Sequence, residues 1–241
     1  MIRDVLLPSQ DIVHLWKIRL ADESWDRYAG VLANDEVHRI AGYKNLRDQA
    51  HARRSRIAVR LLLARYLRRD PSQIVFVLGR FGKPEIFASK LHFNLSHSDE
   101  NAILAISSSQ VGVDLELRRR CESVIDGIAE LVFHPLELNI FSRKTKEEKM
   151  EMFWELWTQK EAYCKYLGTG LSKPLKEIRF MNLDELGAAL VVDKDGMNGN
   201  CYIHRIFCID NHASSICSAS RELRVVRFVA RPSELVGADC H

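Results

Sequence analysis

Phe153–Gly170, reading FWELWTQKEAYCKYLGTG, constrains this chain more than any other stretch. Phe153, Trp157, Cys164 and Leu167 recur at spacings near three, four and seven, which marks one face of a helix, and Gly168 supplies its stop. On that helix Glu161 and Lys165 stand one above the other, about 6 Å apart along the axis. Glu161 also lies one turn beyond Trp157, so its carboxylate is half-sheltered. Taken alone this is an ordinary surface pair worth roughly 0.2–0.5 kcal/mol. Only groups from elsewhere in the chain can give it another meaning.

A chain of 241 residues, 46% hydrophobic and 28% charged, is long enough for one large domain or two smaller ones with real cores. No apolar run approaches the roughly 20 residues that a bilayer span needs, and Arg3 and Asp4 are followed by no signal-type core; the expectation is a cytoplasmic protein with no membrane partner. Six scattered cysteines (Cys121, Cys164, Cys201, Cys208, Cys217, Cys240) without a C-x-x-C pattern predict free thiols in a reducing compartment. The net charge of +3 conceals an asymmetry. Between Arg39 and Arg69 ten Lys/Arg face one acid, Asp48, so this window carries +9 and the remainder −6. Such a window predicts an anionic ligand or partner for the N-terminal part.

Val13–Leu20 reads as a strand, Asp22–Ala33 as a short helix, and Leu46–Leu67 as a longer one stopped by Asp70-Pro71. In the long helix Ala50, Ile57, Leu61, Ala64 and Leu67 form the apolar stripe, and most arginines are read as a solvated face. Ile74–Leu78 follows as a strand. Gly79–Ile86 is a glycine-rich turn that stiffens Lys83 against Pro84. Leu91–Ser98, Ala102–Ile106 and Val111–Leu117 read as three strands, with a lobe boundary at Ser107–Gln110. Glu122–Phe141 is helical in pattern and Ser142–Lys149 a charged connector. Five short strands complete the chain, at Ile178–Phe180, Ala189–Val192, Cys201–Ile209, Ser214–Ser220 and Val225–Val229, with turns at Asp195-Gly196 and Asn198-Gly199.

Chemistry enters at Gly112-Val113-Asp114-Leu115-Glu116. Alternate residues of a strand share a face, so Asp114 and Glu116 point together while Val113, Leu115 and Leu117 face a core. Two like charges about 5 Å apart, at an effective dielectric of about 20, repel by roughly 3 kcal/mol. A cation reverses that sign. Magnesium suits the position, since it takes one or two carboxylates, sometimes a third, beside waters and phosphate oxygens. A D-x-E pair by itself is common and makes no metal site. Glu161 on a neighbouring helix is the third acid that could complete one or act as a base. Lys160 and Lys165 could then neutralise phosphate, and Lys83, Ser96, His97 and the arginine-rich helix could add anion contacts.

With these residues in view the chain resembles the 4′-phosphopantetheinyl transferases of the surfactin-synthetase-activating (Sfp-type) class. Gly82-Lys83-Pro84, Phe93-Asn94-Leu95-Ser96-His97-Ser98, Gly112-Val113-Asp114-Leu115-Glu116 and Trp157-Thr158-Gln159-Lys160-Glu161-Ala162 with Lys165, Gly168 and Gly170 carry the likeness. Each piece is weak, but four in the family's order are specific. The resemblance implies an α+β fold of two similar lobes forming a pseudo-dimer, here residues 1–108 with the coenzyme A phosphate contacts and 109–241 with the metal ligands and catalytic helix. It implies transfer of the 4′-phosphopantetheine arm of coenzyme A to a serine of an apo acyl or peptidyl carrier protein with an acidic surface, by a monomer, releasing adenosine 3′,5′-bisphosphate. Asp114, Glu116 and Glu161 match the family's magnesium ligands, Glu161 also its base, and Lys165 the lysine that stabilises the phosphate in flight. Lys83, Ser96 and His97 match coenzyme A contacts, and Lys160, Arg47 and Arg53 are assigned with them. Leu115 stands where the family often has Ile, a core change that leaves the ligands untouched.

Two other readings make different demands. A nucleic-acid-binding module would use the basic helix but leaves the two acid clusters unexplained. Another magnesium phosphotransferase would use the same acids, although the chain has no G-x-x-x-x-G-K-[ST] loop.

Overall fold

The computed structural model describes residues 7–119, 124–181, 188–193 and 201–235. Strand β1 (Ile12–Arg19) leads into a 3-10 segment, Glu23–Val31, whose start is capped by Asp22. Helices α1 (Asn34–Ala41) and α2 (Leu46–Leu67) follow, then β2 (Phe76–Leu78), β3 (Pro84–Ile86), β4 (His92–Ser98), β5 (Asn101–Ser107) and β6 (Val111–Leu117). Next come α3 (Ile125–Val132), α4 (Pro135–Phe141), the 22-residue α5 (Lys146–Leu167), β7 (Ile178–Met181), β8 (Ala188–Asp193), β9 (Tyr202–Arg205), β10 (His212–Ser218), β11 (Arg224–Ala230) and α6 (Pro232–Leu235). The order and pairing give an α+β fold.

Several features depart from the reading of the sequence: part of the Gly79–Ile86 turn is strand β3, Asp22–Ala33 is 3-10 rather than α-helical, and the strand from Cys201 stops at Arg205. Three more have a clear local reason. Eight-residue α1 is too short to show a convincing period. Pro135 splits the helical pattern before Phe141 by taking the first position of α4, where its missing N–H costs nothing. The charged connector is instead the first turn of α5: Thr145 accepts from Glu148 N–H, and Glu148 returns the bond to Thr145 N–H. The turns at Asp195-Gly196 and Asn198-Gly199, with Cys121 and Cys240, lie outside the described residues.

One sheet has the order β11-β1-β5-β4 and the other β6-β10-β9-β8-β7; β2 and β3 form a separate hairpin. Each of the two larger sheets carries one 22-residue helix, α2 on the first and α5 on the second. The C-terminal strand β11 runs parallel to β1, from Ile12 beside Arg224 to Ile18 beside Ala230. The chain therefore returns to the first lobe at its end, and a single cut after residue 108 does not separate the two sheets. Phe228 of β11 stacks on Trp16 with ring centroids 4.5 Å apart, and the Trp16 indole donates to Tyr66 Oη of α2 at 2.8 Å.

A third core lies between the sheets, where Val13, Leu15, Ile103 and Ala105 meet Val111, Val113, Leu115 and Ile216. Both faces of β1 and β5 are thus buried, which explains why Ala102–Ile106 (AILAI) is uniformly apolar rather than alternating. As expected from the period of two, Val113 and Leu115 fill this inner core while Gly112, Asp114 and Glu116 occupy the opposite face, under α5.

Candidate active site

Gly112 sets the approach of α5 to β6. A Cβ there would stand 2.1 Å from the Ala162 carbonyl oxygen and 2.3 Å from Tyr166 N, so only glycine lets the helix backbone lie this low. α5 is held down further by Lys83, whose Nζ donates to Val111 O at 3.0 Å and Tyr166 O at 3.1 Å. Gly168, left-handed at φ 76°, then ends α5 as the sequence predicts, with the Lys83 stem packed beside it.

This seating brings Glu161 and Lys165 over Asp114 and Glu116. Lys165 Nζ lies 2.6 Å from Asp114 Oδ1 and 2.9 Å from Ser96 Oγ, so the lysine turns to β6 rather than to its helix neighbour Glu161. Asp114 is buried at 2% exposure. Its second oxygen, Oδ2, and Oε1 of Glu161 are buried without a hydrogen-bond partner. Orphaned carboxylate oxygens at such depth are costly and suit a cationic partner.

The electrostatics agree. Burial, then the charge of Asp114, raises the Glu161 pKa to about 7 against the opposing pull of Lys165, with Glu116 adding to the rise. Glu116 is likewise raised by burial and Asp114, against hydrogen bonds from Ser98 and Trp157 and the charge of Lys165. The three acids therefore share one field. Among the described residues no three His, Cys, Asp or Glu side chains stand close enough together to hold a metal ion between them; Lys165 is the cation on Asp114 here. The oxygen donor set, the two orphaned oxygens and the mutual repulsion fit a hard divalent ion such as magnesium that would take further ligands from phosphate and water.

The edge strands β4 and β6 meet through side chains. Asn94 Oδ1 accepts from Val113 N–H at 2.7 Å, Ser96 Oγ from Leu115 N–H at 3.2 Å and Ser98 Oγ from Leu117 N–H at 2.9 Å. Ser96 also donates to Asp114 Oδ1 at 2.9 Å. With Lys165 and Leu115 N–H as its donors, that hydroxyl is saturated, which leaves none of its bonds for a nucleotide.

His97 points the other way, into a cleft lined by Arg39, Tyr43, Arg56, Pro84 and Phe93. Desolvation of the ring, then Lys165 and His51, lower its pKa.

Four of the expected coenzyme A contacts are engaged elsewhere. Lys160 is fully buried, and its three N–H bonds go to Glu137 Oε2 at 2.7 Å and to the carbonyls of Leu175 and Ile178. It is a structural cation of the second lobe. Lys83 pins α5, and burial lowers its pKa to about 8 against the charge of Glu85. Arg53 pairs with Asp26 at 2.9 Å, and Arg47 reaches the β4–β5 turn at Asp99 and Glu100. Neither arginine lines the His97 cleft.

Much of the +9 window is matched in the same way, since Arg54 binds Asp26 and Glu23, and Arg56 and Arg60 bind buried Glu36. A helical signal could have found these pairs. Lys160 falls on the stripe Phe153, Trp157, Cys164, Leu167, and Arg54 and Arg60 fall on that of Ala50, Ile57, Leu61, Ala64. A cation on an apolar stripe has to find an internal partner.

A family model described as the 4′-phosphopantetheinyl transferase superfamily matches residues 110–217, and one described as the N-terminal part of a 4′-phosphopantetheinyl transferase matches residues 16–109. The chain is 35% identical over 175 residues to 4′-phosphopantetheinyl transferase HetI of Nostoc sp., covering 70% of this chain and 73% of that one. It is 30% identical to 4′-phosphopantetheinyl transferase gsp of Aneurinibacillus migulanus, over 78% of this chain and 76% of that one. With 4′-phosphopantetheinyl transferase Sfp of Bacillus subtilis the identity is 27%, over 83% of this chain and 88% of that one. The acids gathered beneath α5 and the motifs around them thus sit in a chain that belongs to the 4′-phosphopantetheinyl transferase family.

Proposed function

We propose that this chain transfers the 4′-phosphopantetheine arm of coenzyme A to a serine of an apo carrier protein, the activity of its family, at the site formed by β6 and α5. The observation that carries this reading is the electrostatic coupling of Glu161 with Asp114 and Glu116 beside Lys165, which binds Asp114, with one buried oxygen each of Asp114 and Glu161 left unpartnered. Asp114, Glu116 and Glu161 would hold magnesium, which would supply positive charge to neutralise the phosphates of coenzyme A.

Glu161, with one carboxylate oxygen buried and unpartnered, is placed to take the proton of the serine hydroxyl as its oxygen attacks the β-phosphorus. Lys165 sits where its ammonium can follow the phosphate oxygens as charge moves to the leaving adenosine 3′,5′-bisphosphate. His97 and Arg39, in the cleft beyond β4, provide cationic or donor groups for the nucleotide end. The partner is a carrier protein of acidic surface, and the enzyme works as a monomer because both lobes come from one chain.

Mass spectrometry of several apo carrier proteins incubated with coenzyme A and magnesium tests the reading. Wild type adds one phosphopantetheine arm; Asp114→Ala folds and adds none. Full modification by Asp114→Ala would remove the acids from the chemistry. Salt-sensitive retention of nucleic acid with no carrier modification would favour the basic-helix alternative.

A further inference from the structure

We infer that Ser98 is a positioning residue for Glu116, so that the first lobe orients a metal ligand of the second. The inference rests on the metal reading proposed above.

β4 and β6 are edge strands of different sheets, and no backbone ladder joins them. Asn94, Ser96 and Ser98 occupy alternate positions of β4 and accept from Val113, Leu115 and Leu117, alternate positions of β6. Both strands advance equally per pair of residues, so the side-chain ladder stays in register over its three rungs. Two rungs do more than join backbones. Ser96 donates to Asp114 Oδ1 at 2.9 Å, and Ser98 donates to Glu116 Oε2 at 3.0 Å. Asn94 touches no carboxylate.

The Ser98 hydroxyl has one proton, and the bond from Leu117 N–H fixes the lone pair behind it, so that proton is aimed at Glu116. A carboxylate held through one oxygen presents the other in a fixed direction, which is how groups outside a metal's own ligands tune its binding. Ser96 has the same relation to Asp114, but its contact with Lys165 makes it the less clean test.

The experiment is a titration of the full chain, saturated with coenzyme A and free of carrier protein, with Mn²⁺ followed by electron paramagnetic resonance. Ser98→Ala is expected to weaken Mn²⁺ binding about 10-fold, within the range for lost outer-shell partners, and Ser98→Thr, which keeps the hydroxyl, to restore it. Asn94→Ala removes a rung without a carboxylate, so it should lower the unfolding temperature and leave Mn²⁺ affinity unchanged. If Asn94→Ala does not fold, the two Ser98 variants carry the comparison. Unchanged Mn²⁺ affinity in Ser98→Ala, or equal weakening in Ser98→Ala and Asn94→Ala, overturns the positioning role alone. Failure of wild type to bind Mn²⁺ overturns the metal reading as well.

Discussion

Glu161 shows how one residue's surroundings define its chemistry. A helical glutamate four positions before a lysine is unremarkable by spacing, yet burial and the neighbouring Asp114 lift its pKa from 4.5 to about 7. Because the folded value is the higher one, the metal-free protein carries this stability below about pH 4.5 and loses it as pH rises towards 7. Divalent metal should therefore raise the unfolding temperature more at pH 8 than at pH 6, and its affinity should tighten over the same interval with release of protons. Thermal unfolding at the two pH values checks this; equal metal stabilisation at both would refute it. Glu161→Gln should lower turnover about 100-fold or more while leaving coenzyme A affinity much closer to wild type, measured as separate kcat and binding values. That Asp114 and Glu116 share one strand face and Glu161 and Lys165 one helix face was legible from the two periods; that the two pairs belong together was implied only by the family resemblance. Lys160 was misassigned because adjacency in sequence suggested a shared site. One step round a helix is 100°, and that turn directs its ammonium to Glu137 of α4.

The contact of α5 with β6 is the element-scale basis of the site. Gly112 allows it, Lys83 and Gln110 both donate to the Tyr166 carbonyl near its end, and Thr158 Oγ1 lies 3.1 Å from Ser215 Oγ of β10. Gly112→Ala would drive a methyl group into helix backbone, which cannot yield as a side-chain tip can. The expected cost is about 3 kcal/mol or more, read as a lower denaturant midpoint, with activity lost more steeply than stability because Glu161 and Lys165 are lifted from β6. A variant as stable and active as wild type would show that the close approach is dispensable. The limits of α2 and the existence of β1, β4, β5, β6 and the later strands were readable, since their periods and stop signals are local. The α1 helix was not, because eight residues give too few repeats, and with it went Glu36, the acid that neutralises Arg56 and Arg60. The side-chain ladder of Asn94, Ser96 and Ser98 was also unreadable, since it depends on which strands become neighbouring edges.

At the scale of the whole molecule, the two lobes are joined by a shared apolar core, by the β4–β6 side-chain ladder and by the return of β11 to the first sheet. That return was illegible because Val225–Val229 reads as a strand but carries no mark of which sheet it enters. Truncation after Leu223 should expose Trp16 and His14, whose rings Phe228 covers, and lower the unfolding temperature of the entire chain in one transition. Separate melting of the lobes would contradict this coupling. The acids and Lys165 belong to the second lobe, the hydroxyls that touch them and the His97 cleft to the first, so the site exists only where the lobes meet. The central claim is that Asp114, Glu116 and Glu161 hold one divalent ion at that junction. The most direct measurement is anomalous diffraction from crystals grown with coenzyme A and Mn²⁺: the account predicts a single peak about 2.1–2.2 Å from an oxygen of each of the three acids, and a peak bound elsewhere, or none between them, would contradict it.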